Sequence, residues 1–494
     1  MNGILPKGWV QTNLGTVSTH PQYGWTCSST KIGSLKLLRT TDISSGKVDW
    51  DNVPYCSEVP DQIEKFVLGK NDIVVSRAGS IGVSFCLSES DLEYKAVFAS
   101  YLIRFRPLIP ATFVYYYLKS SAYWQFISAS QLGIAVPNVN ASKLAELPLP
   151  LPPLTEQKRI IAKLDAIMPR IHSVKERLEK IPAILKSFRQ SVLTAAVTGK
   201  LTEKWREEHP DVESAEALLD EKLRMRKQYF ASYWKDFEIP QRWICALLKN
   251  IADLRLGKML DGSKNKGISM RYLRNINVRW FGFDLESLKE IRITQAEKEA
   301  LSIKTGDVFV CEGGEPGRSA VWKAKENNMT FQKALHRVRM KISFLPDLLV
   351  YNLKVDADTK KLDELFTGST IKHFTGRSLA VYPVAIPPLE EQKEIVRQVD
   401  KLFALADKVE EHYQKAWARV DALSQSVLAK AFRGELVPQD PDDEPAEKLL
   451  QRIQEEKEKM ENELKNASRS ARGTRRNGAK MQHTRPEEKQ AGEP

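Results

Sequence analysis

The chain carries the same sequence motif twice, 235 positions apart, and this duplication constrains its fold more than any other feature. The motif LPPLTEQK at Leu151–Lys158 recurs as IPPLEEQK at Ile386–Lys393, and QSVL at Gln190–Leu193 recurs at Gln425–Leu428. Because chance does not hold one register over such a distance, we interpret the chain as a tandem duplication. Each copy has a variable first part of about 145 residues and a better-matched second part of about 50 residues. We call the variable part of the first copy module 1 and that of the second copy module 2.

The better-matched parts are predicted to be long helices. A Pro-Pro pair opens each of them, and Gly199 and Gly434 stand where a C-terminal cap belongs. About 44 residues at about 1.5 Å each give a rod of roughly 65 Å, and Pro169 and Pro182 should kink the first rod. The apolar residues repeat every three and four positions, which predicts a coiled coil between the two helices. The alternative, in which each helix packs only on its own module, stays open. The predicted seam is Ile160, Leu164, Ile167, Ile171, Val174, Leu178, Ile181, Leu185, Ile395, Val399, Leu402, Val409, Tyr413, Val420 and Leu423.

The modules themselves are predicted to mix strands and helices, so the fold class is α+β. Asp72–Ser76 and Asp307–Cys311 are short β-rich runs ended by glycines, and Tyr101–Arg106 alternates as a half-buried strand does. The aromatic residues of Thr112–Ser128 have helical grouping, and we interpret them as core rather than as a base-stacking platform. The glycine-rich turn at Gly79–Gly82 either cradles a phosphate or is a plain tight turn.

Composition limits the class of protein and its partners. The net charge of +12 favours a polyanionic partner, although weakly. Five cysteines without a Cys-x-x-Cys pair exclude a disulfide scaffold and suit a reducing compartment. The sequence contains no run of about 18 apolar residues, so no transmembrane helix is predicted, and Met1–Val10 does not resemble a signal peptide. We therefore expect a cytoplasmic protein without a membrane partner.

A search for catalytic motifs finds none, so we predict no catalytic, cofactor-binding or metal-binding residues. The histidines show no ligand spacing, and Gly262–Gly267 lacks the Lys-Ser/Thr of a phosphate-binding loop. Pro210-Asp211 followed by Asp220-Glu221-Lys222 superficially matches a metal-dependent nuclease, but it lies in a charged segment that is predicted to be helical. After Pro438 we predict a charged helix over about 446–464 and then a disordered basic tail.

The duplication suggests a geometry for ligand binding. Two diverged modules joined by two similar antiparallel helices form a pseudo-two-fold tandem repeat, in which the modules stand at a fixed separation. A long, periodic, anionic polymer suits such an arrangement, and DNA repeats about every 34 Å per turn. Modules with different side chains would recognise two unrelated half-sites rather than a palindrome.

The repeated motifs resemble those of the specificity subunits of type I restriction-modification systems. The resemblance rests on the two Pro-Pro-Leu-x-Glu-Gln-Lys openings, on Gln190–Leu193 with Gly199–Trp205, and on Ala429–Leu436, and it covers nearly the whole chain. It implies a non-catalytic subunit that binds double-stranded DNA, two modification subunits and restriction subunits. Its partners, and not this chain, would use S-adenosylmethionine, ATP and Mg²⁺.

The resemblance also implies a division of the chain. Each target recognition domain would bind one half of an asymmetric, bipartite DNA site, and the helices would set the spacing and dock the modification subunits. The expected parts are target recognition domain 1 at 1–150, conserved helical region 1 at 151–205, a helical linker at 206–237, target recognition domain 2 at 238–384, conserved helical region 2 at 385–437, and a charged helix with a basic tail at 438–494.

DNA contacts are predicted from polar and basic residues near strand ends, since arginine and asparagine bind base edges and lysine mostly binds phosphate. Any one of them would look the same as a solvated surface charge. Arg39 and Arg274 share a register, which indicates either a common phosphate anchor or a common structural ion pair. The predicted contacts are Arg39, Thr40, Ser76, Arg77, Ser80, Arg104, Arg106, Lys264, Lys266, Arg271, Arg274, Asn275, Arg279, Arg318, Lys372 and Arg377.

Partner contacts are predicted on the charged openings of the helices. Because exposed helix charge alone would look identical, this prediction depends on the resemblance. A stand-alone nucleic-acid-binding protein is the alternative function, and a single-chain nuclease or methyltransferase is a weaker one. The predicted docking residues are Glu156, Gln157, Lys158, Arg159, Glu391, Gln392 and Lys393.

Overall fold

The structure is a computed structural model that describes residues 5–130, 138–227, 229, 233, 239–261, 265–325 and 328–481, with side chains described as far as 463. The described residues of Met1–Arg177 and Ala416–Pro494 form one compact unit, and those of Leu178–Lys415 form another. Each unit therefore combines one module with part of both long helical regions. We refer to them as unit 1 and unit 2.

Module 1 contains short strands in two sheets and a strand pair that joins its ends. Its strands are β1 (Val10–Asn13), β2 (Gln22–Tyr23), β3 (Ser29–Thr30), β4 (Lys36–Leu38), β5 (Tyr55–Cys56), β6 (Ile73–Ser76), β7 (Ser84–Cys86), β8 (Ala96–Phe98), β9 (Leu102–Phe105) and β10 (Pro148–Leu151). One sheet has the order β2-β9-β6-β7 and the other β3-β5-β4-β8, with β4 and β8 parallel. The antiparallel β1-β10 pair closes the module, so that its first and last strands lie side by side.

Module 2 repeats this arrangement. Its strands, with one from the preceding linker, are β11 (Arg224–Met225), β12 (Ile244–Leu247), β13 (Ala252–Leu256), β14 (Ile268–Leu273), β15 (Val278–Arg279), β16 (Gly282–Phe283), β17 (Lys289–Ile293), β18 (Val308–Cys311), β19 (Ser319–Val321), β20 (Met329–Phe331), β21 (Leu335–Met340) and β22 (Pro383–Ile386). The order β13-β21-β18-β19 matches the first sheet of module 1, and β14-β20 is again a parallel pair. The β12-β22 pair closes the module, and β15-β16 is an added hairpin.

The helices of the two units complete an α+β fold. They are α1 (Ala111–Tyr117), α2 (Ser121–Ser130), α3 (Ala141–Ala145), α4 (Leu154–Leu178), α5 (Ile181–Val197), α6 (Glu203–Glu208), α7 (Leu248–Ile251), α8 (Gln295–Ala300), α9 (Pro346–Asp358), α10 (Gly376–Ala380), α11 (Leu389–Phe432) and α12 (Ala446–Met481). Phe113, Tyr117 and Tyr123 of α1 and α2 are buried in the core, as predicted, whereas Trp124 is exposed. Among the described residues, no helix is both long and apolar enough to span a bilayer.

The long helices follow the sequence prediction with one difference. The first helical region is interrupted between Leu178 and Ile181, where Pro182 lies in the first turn of α5, as the prediction of a kink there requires. No interruption occurs at Pro169, which lies inside α4. Gly199 and Gly434 have φ angles of +75° and +76°, which confirms the predicted glycine caps.

Within each unit the two helical regions pack antiparallel. In unit 1, Lys175 pairs with Asp421 at 2.6 Å, and Arg159, farther toward the start of α4, pairs with Asp443 beyond the end of α11. In unit 2, Arg189 of α5 pairs with Asp407 of α11 at 2.7 Å, and Thr202, beyond the end of α5, donates to Glu391 in the first turn of α11. The two helical regions of unit 2 therefore also run in opposite directions.

Burial of the apolar seam varies along the helices. Ile160, Leu164 and Ile171 belong to the core of unit 1, and Ile395 and Val399 belong to the core of unit 2. Leu185 is also buried. Of the other seam side chains, three are exposed and the rest are partly buried. The exposed seam side chains, which the heptad pattern placed wrongly inside, are Val174, Val409 and Leu423.

The C-terminal segment is more helical than its composition suggests. The charged helix predicted over about 446–464 extends as α12 to Met481, so the prediction of disorder from Lys465 onward was wrong as far as Met481. Ala446, Leu449 and Ile453 are buried in the core of unit 1, and Lys457 donates to the carbonyl of Gly15 at 2.7 Å. The amphipathic start of α12 is therefore part of the packed unit.

A glycine exchange tests the junction between module 1 and the end of α11. A Cβ at Gly434 would lie 2.4 Å from Pro6 Cγ, whereas a Cβ at Gly46, which also has a positive φ, meets nothing within 4 Å. Both alanine variants lose about 1–2 kcal/mol through the left-handed backbone conformation. Gly434→Ala must also displace Pro6, so we expect it to lower the melting temperature clearly more than Gly46→Ala. Equal melting temperatures would contradict the packing of this junction.

Candidate nucleic-acid interface

Three loops of module 1 meet beside the end of its central strand. Arg77, directly after β6, donates its N–H to the Tyr101 carbonyl at 2.9 Å, and its own carbonyl accepts from Val139 at 3.2 Å. Ala99 donates to the carbonyl of Leu38 at the end of β4, also at 2.9 Å. These hydrogen bonds join the loops that follow β4, β6 and β8 to one another and to the segment before α3, and we call these loops together with that segment the loop frame of module 1.

Module 2 has the same pattern of frame hydrogen bonds. Glu312, directly after β18, donates to the Ala334 carbonyl at 2.9 Å, and its carbonyl accepts from Phe374 at 2.8 Å. Gln332 donates to the carbonyl of Leu273 at 3.1 Å. The backbone scaffold is thus shared between the modules, while the side chains at its corresponding positions differ.

The frame of module 1 presents polar and aromatic side chains. The guanidinium of Arg77 lies 5.0 Å from the centre of the Tyr23 ring, and its Nε donates to Asn138 Oδ1 at 3.3 Å. Tyr101 is 62% exposed although it stands next to buried strand residues. Ser80 is exposed on the glycine turn. A cation, a ring and an amide at one loop junction are groups that contact phosphates and bases.

The frame of module 2 presents a different set. Asn275 donates from Nδ2 to the Gly313 carbonyl at 3.2 Å, and its own carbonyl accepts from Arg318 at 2.9 Å. Arg318 also pairs with Glu315 at 2.7 Å. Gly314 has a φ of +83°, which favours glycine, and a Cβ there would lie 2.8 Å from Asn275 Nδ2 and would push that amide aside.

Two of the predicted DNA contacts of module 1 are buried. The Arg104 guanidinium is 6% exposed and donates to the carbonyls of Lys65 and Val67 at 2.9 and 2.8 Å. Burial lowers the pKa of this guanidinium to about 10. Ser76 is also buried, and its hydroxyl donates to the carbonyl of Ala78. Because both side chains are buried, Arg104 and Ser76 do not belong to the candidate interface. Their surface position is predicted from polarity alone.

Two further arginines of module 1 already have acidic partners. Arg106 pairs with Asp72 at 2.8 Å on the same sheet, and in module 2 Arg339 pairs with Asp307 at 2.7 Å. Arg39 binds Asp42 through its backbone N–H, Nε and Nη2, the last at 2.7 Å. The half-buried Thr40 lies beside these groups, 3.3 Å from Ser76 Oγ.

The shared register of Arg39 and Arg274 does not reflect a shared ion pair. The position of Asp42 is taken in module 2 by Asn277, whose Oδ1 accepts from the N–H of Arg274 at 3.0 Å. The Arg274 guanidinium instead donates to the carbonyl of Ser287 at 2.5 Å. The backbone turn is common to the modules, and the ion pair belongs to module 1.

The remaining predicted contacts of module 2 are spread over its surface. Lys266, Arg271 and Arg377 are exposed. Arg279 pairs with Asp284 at 3.3 Å and Lys372 with Asp363 at 2.6 Å. Lys264 lies outside the described residues. The DNA contacts therefore stay predictions, and the loop frame brings together only part of the predicted set.

Several frame residues were missed by sequence reasoning, because aromatic and acidic side chains were not sought at strand ends. The repeat register would have pointed to some of them, since it aligns Arg77 with Glu312 and Asn138 with His373. The missed residues are Tyr23, Tyr101, Asn138, Glu312 and His373.

The charged openings of the long helices are largely internal. Glu156 is buried and accepts hydrogen bonds from Trp9 Nε1 at 2.9 Å and from Gln439 at 2.7 Å. Burial raises the pKa of the Glu156 carboxyl above its usual value. In unit 2, Glu391 likewise accepts from Trp243 Nε1 at 2.8 Å.

The neighbouring glutamines are also buried, because Gln157 donates to the carbonyl of Pro152 and Gln392 to that of Pro387, each at 2.9 Å. These four residues thus tie each helix to its module, and their prediction as outward docking groups was wrong. Lys158 and Lys393 are exposed, and the half-buried Arg159 is held by Asp443.

Within the described part of the chain, no group of three or more histidine, cysteine, aspartate or glutamate side chains could hold a metal ion. In the nuclease-like pattern, Asp220 caps a 3₁₀ turn by accepting from the N–H of Lys222 at 3.0 Å, and the segment forms short 3₁₀ turns rather than the predicted helix.

Comparison with known proteins decides the family. Residues 33–183 and 248–416 match the family described as type I restriction modification DNA specificity domain. The chain belongs to this family. It is 31% identical over 480 residues to the type I restriction enzyme EcoKI specificity subunit of Escherichia coli K12, with 92% of this chain and 97% of that protein covered.

Other relatives agree. The EcoBI specificity subunit of Escherichia coli is 29% identical over 484 residues and covers 92% of this chain and 94% of its own length. A chain in a solved structure titled for complex assembly and conformational transition of the type I R-M system has a TM-score of 0.63 at 18% identity, over 88% of this chain and all of that chain, which supports the fold. This type I specificity subunit is thus a non-catalytic, DNA-binding component of its system.

A substitution of the buried arginine separates folding from DNA recognition. Arg104→Leu leaves the carbonyl of Lys65 without its side-chain donor and leaves that of Val67 with only the longer, 3.4 Å bond from Arg106, which should cost about 3 kcal/mol of stability. We expect a lower melting temperature and an unchanged methylated DNA sequence. Arg106→Leu is the matched control and should cost less, because its side chain is 45% exposed and Asp72 keeps Arg104 nearby. If Arg104→Leu instead altered the sequence preference at unchanged stability, Arg104 would be a DNA contact.

Proposed function

We propose that each module binds one half of an asymmetric, bipartite site in double-stranded DNA through its loop frame. The observation that supports this most strongly is the pairing of one backbone frame with two sets of side chains. Identical frames with identical side chains would recognise the same sequence twice. Here Arg77, Asn138 and Tyr101 of module 1 stand where module 2 has Glu312, His373 and Ala334.

We propose further that the long helices set the distance between the half-sites and carry the modification subunits. Exposed apolar side chains on these helices support the presence of a protein partner, since packing within each unit does not cover them. In unit 1 they are Val174 and Leu423, and in unit 2 they are Ile184, Leu405 and Val409. Single exposed apolar residues are common, so their grouping on the helices is what supports the proposal.

The assembled complex would contain two modification subunits and, for cleavage, restriction subunits, and it would work in the cytoplasm. In this proposal the partners use S-adenosylmethionine to methylate adenine and use ATP and Mg²⁺ for cleavage. The chain itself supplies sequence recognition and position. The family membership supports this division of labour, because related chains are named as specificity subunits.

Methylation of a genome tests the proposed function. The chain is co-expressed with its modification subunit in a host without adenine methylation, and the modified sequences are determined by long-read sequencing. We expect a stable complex and one asymmetric, bipartite methylated motif with a fixed spacer. Sequence-specific DNA binding by the chain alone, without complex formation, would favour a stand-alone DNA-binding protein. Methyl transfer or Mg²⁺-dependent cleavage by the isolated chain would favour an enzyme.

A shortened helical region tests the spacing. Removing one heptad from each helical region, Ser173–Glu179 and Glu411–Trp417, shortens each helix by about 10 Å at about 1.5 Å per residue. DNA rises about 3.4 Å per base pair, so the spacer should shorten by about three base pairs. The two half-site sequences should stay the same, because neither module is altered. New half-sites, or an unchanged spacer in a stable complex, would contradict the role of the helices.

A further inference from the structure

One position of the loop frame carries opposite charges in the two modules. Arg77 is the first residue after β6, and Glu312, 235 positions later, is the first residue after β18. Their backbone N–H groups make equivalent 2.9 Å hydrogen bonds, to the residue that precedes β9 in module 1 and the residue that precedes β21 in module 2. The two side chains therefore start from equivalent points on one scaffold, and the difference between them is chemical.

The Arg77 side chain is held in place but keeps free donors. Asn138 accepts from Nε, and the Tyr23 ring lies under the guanidinium. Tyr23 is itself fixed, because its hydroxyl accepts from the N–H of Ala141 at 2.9 Å. The two Nη groups donate to no partner within the described residues. Two parallel donors on a preorganised guanidinium match the O6 and N7 acceptors of guanine.

The Glu312 side chain has free hydrogen-bond acceptors where Arg77 has free donors. Its side chain is 25% exposed, and its carboxylate accepts no hydrogen bond from the described residues. The nearest basic group is His336 Nε2 at 3.9 Å. Burial lowers the pKa of His336 to about 4, so the imidazole is neutral at pH 7 and does not compensate the carboxylate. A carboxylate with free lone pairs at a DNA-binding frame accepts from an exocyclic amino group, as cytosine N4 offers.

We infer, on the basis of the proposed function, that Arg77 and Glu312 are specificity-determining residues at one shared position, where Arg77 contacts a guanine in one half-site and Glu312 contacts a cytosine in the other. The shared backbone frame aims both side chains at its half-site in the same way. Substitution at either residue changes one base preference in one half-site and leaves the other half-site and the spacer unchanged.

The test determines the methylated motifs of variants in complex with the modification subunit. Arg77→Ala should weaken the preference for guanine at one position of one half-site by about tenfold to a hundredfold. Arg77→Lys keeps the charge but loses the bidentate fork, so it should lose most of the preference at an unchanged melting temperature. Glu312→Gln should shift one position of the other half-site from cytosine toward adenine, because an amide binds adenine through two hydrogen bonds.

Matched controls place the same kinds of charge change elsewhere. Lys95→Ala removes one positive charge before β8, at the far end of the strand from the frame, as Arg77→Ala does within the frame, and Glu299→Gln removes one negative charge in α8, as Glu312→Gln does in the frame. Both residues are exposed, and both variants should leave the motif unchanged. A changed motif in either control would show that net charge rather than position acts, and it would overturn the inference.

The outcomes separate the inference from the proposed function. If the unaltered chain directs methylation to a bipartite motif and the Arg77 and Glu312 variants keep that motif at full preference, the inference is wrong and the function stands. If the unaltered chain directs no such methylation, the proposed function itself fails. An Arg77→Ala complex that does not assemble leaves Arg77→Lys and Glu312→Gln to decide.

Discussion

The structure depends on a buried hydrogen bond between a tryptophan and a glutamate that is made once in each unit. Trp9 donates to Glu156 in unit 1, and Trp243 donates to Glu391 in unit 2. In each pair the tryptophan stands at the start of a module and the glutamate in the first turn of the helix that follows that module. A buried carboxylate is costly unless its oxygens are bonded, and a residue beyond the end of the other helical region supplies the second bond. Gln439 does so in unit 1, and Arg206 with Thr202 does so in unit 2. The same contact thus fixes the module, its own helix and the other helical region.

This contact explains why a duplicated sequence folds into units that do not follow the order of the duplication. Each module needs the helix that follows it and the end of the other helical region to complete its core. In unit 1 the core therefore joins Ile160 and Leu164 of α4 with Leu428 and Phe432 of α11. In unit 2 it joins Val192 and Ala196 of α5 with Ile395 and Val399 of α11. A chain with one repeat would leave these apolar faces uncovered, which gives a physical reason for keeping two.

The sequence predicted the scaffold better than the site. Heptad spacing, Pro-Pro openings and glycine caps located the long helices, because local chemistry determines those features. Burial of Glu156 and Gln157 could not be predicted, since it depends on Trp9, which is 147 positions from Glu156. The sequence predicts a surface position for Arg104, because polarity alone does not show that a guanidinium donates to two internal carbonyls. The domain boundaries and the DNA contacts stay predictions. The 235-residue repeat already aligns Arg77 with Glu312, but the frame that holds them consists of hydrogen bonds between distant loops and is seen only in the structure.

The central claim is that one loop frame with two sets of side chains gives two different half-sites. Replacing module 2 between the closing strands, Ile244–Ile386, by module 1 between its own, Val10–Leu151, makes both frames the same while keeping the Trp–Glu contacts and both helical regions. The decisive measurement is the methylated motif directed by this exchanged chain with its modification subunit. The account predicts that both halves of the motif become the half-site of module 1 and that the spacer is kept. A motif that stays asymmetric in an assembled, active complex would contradict it.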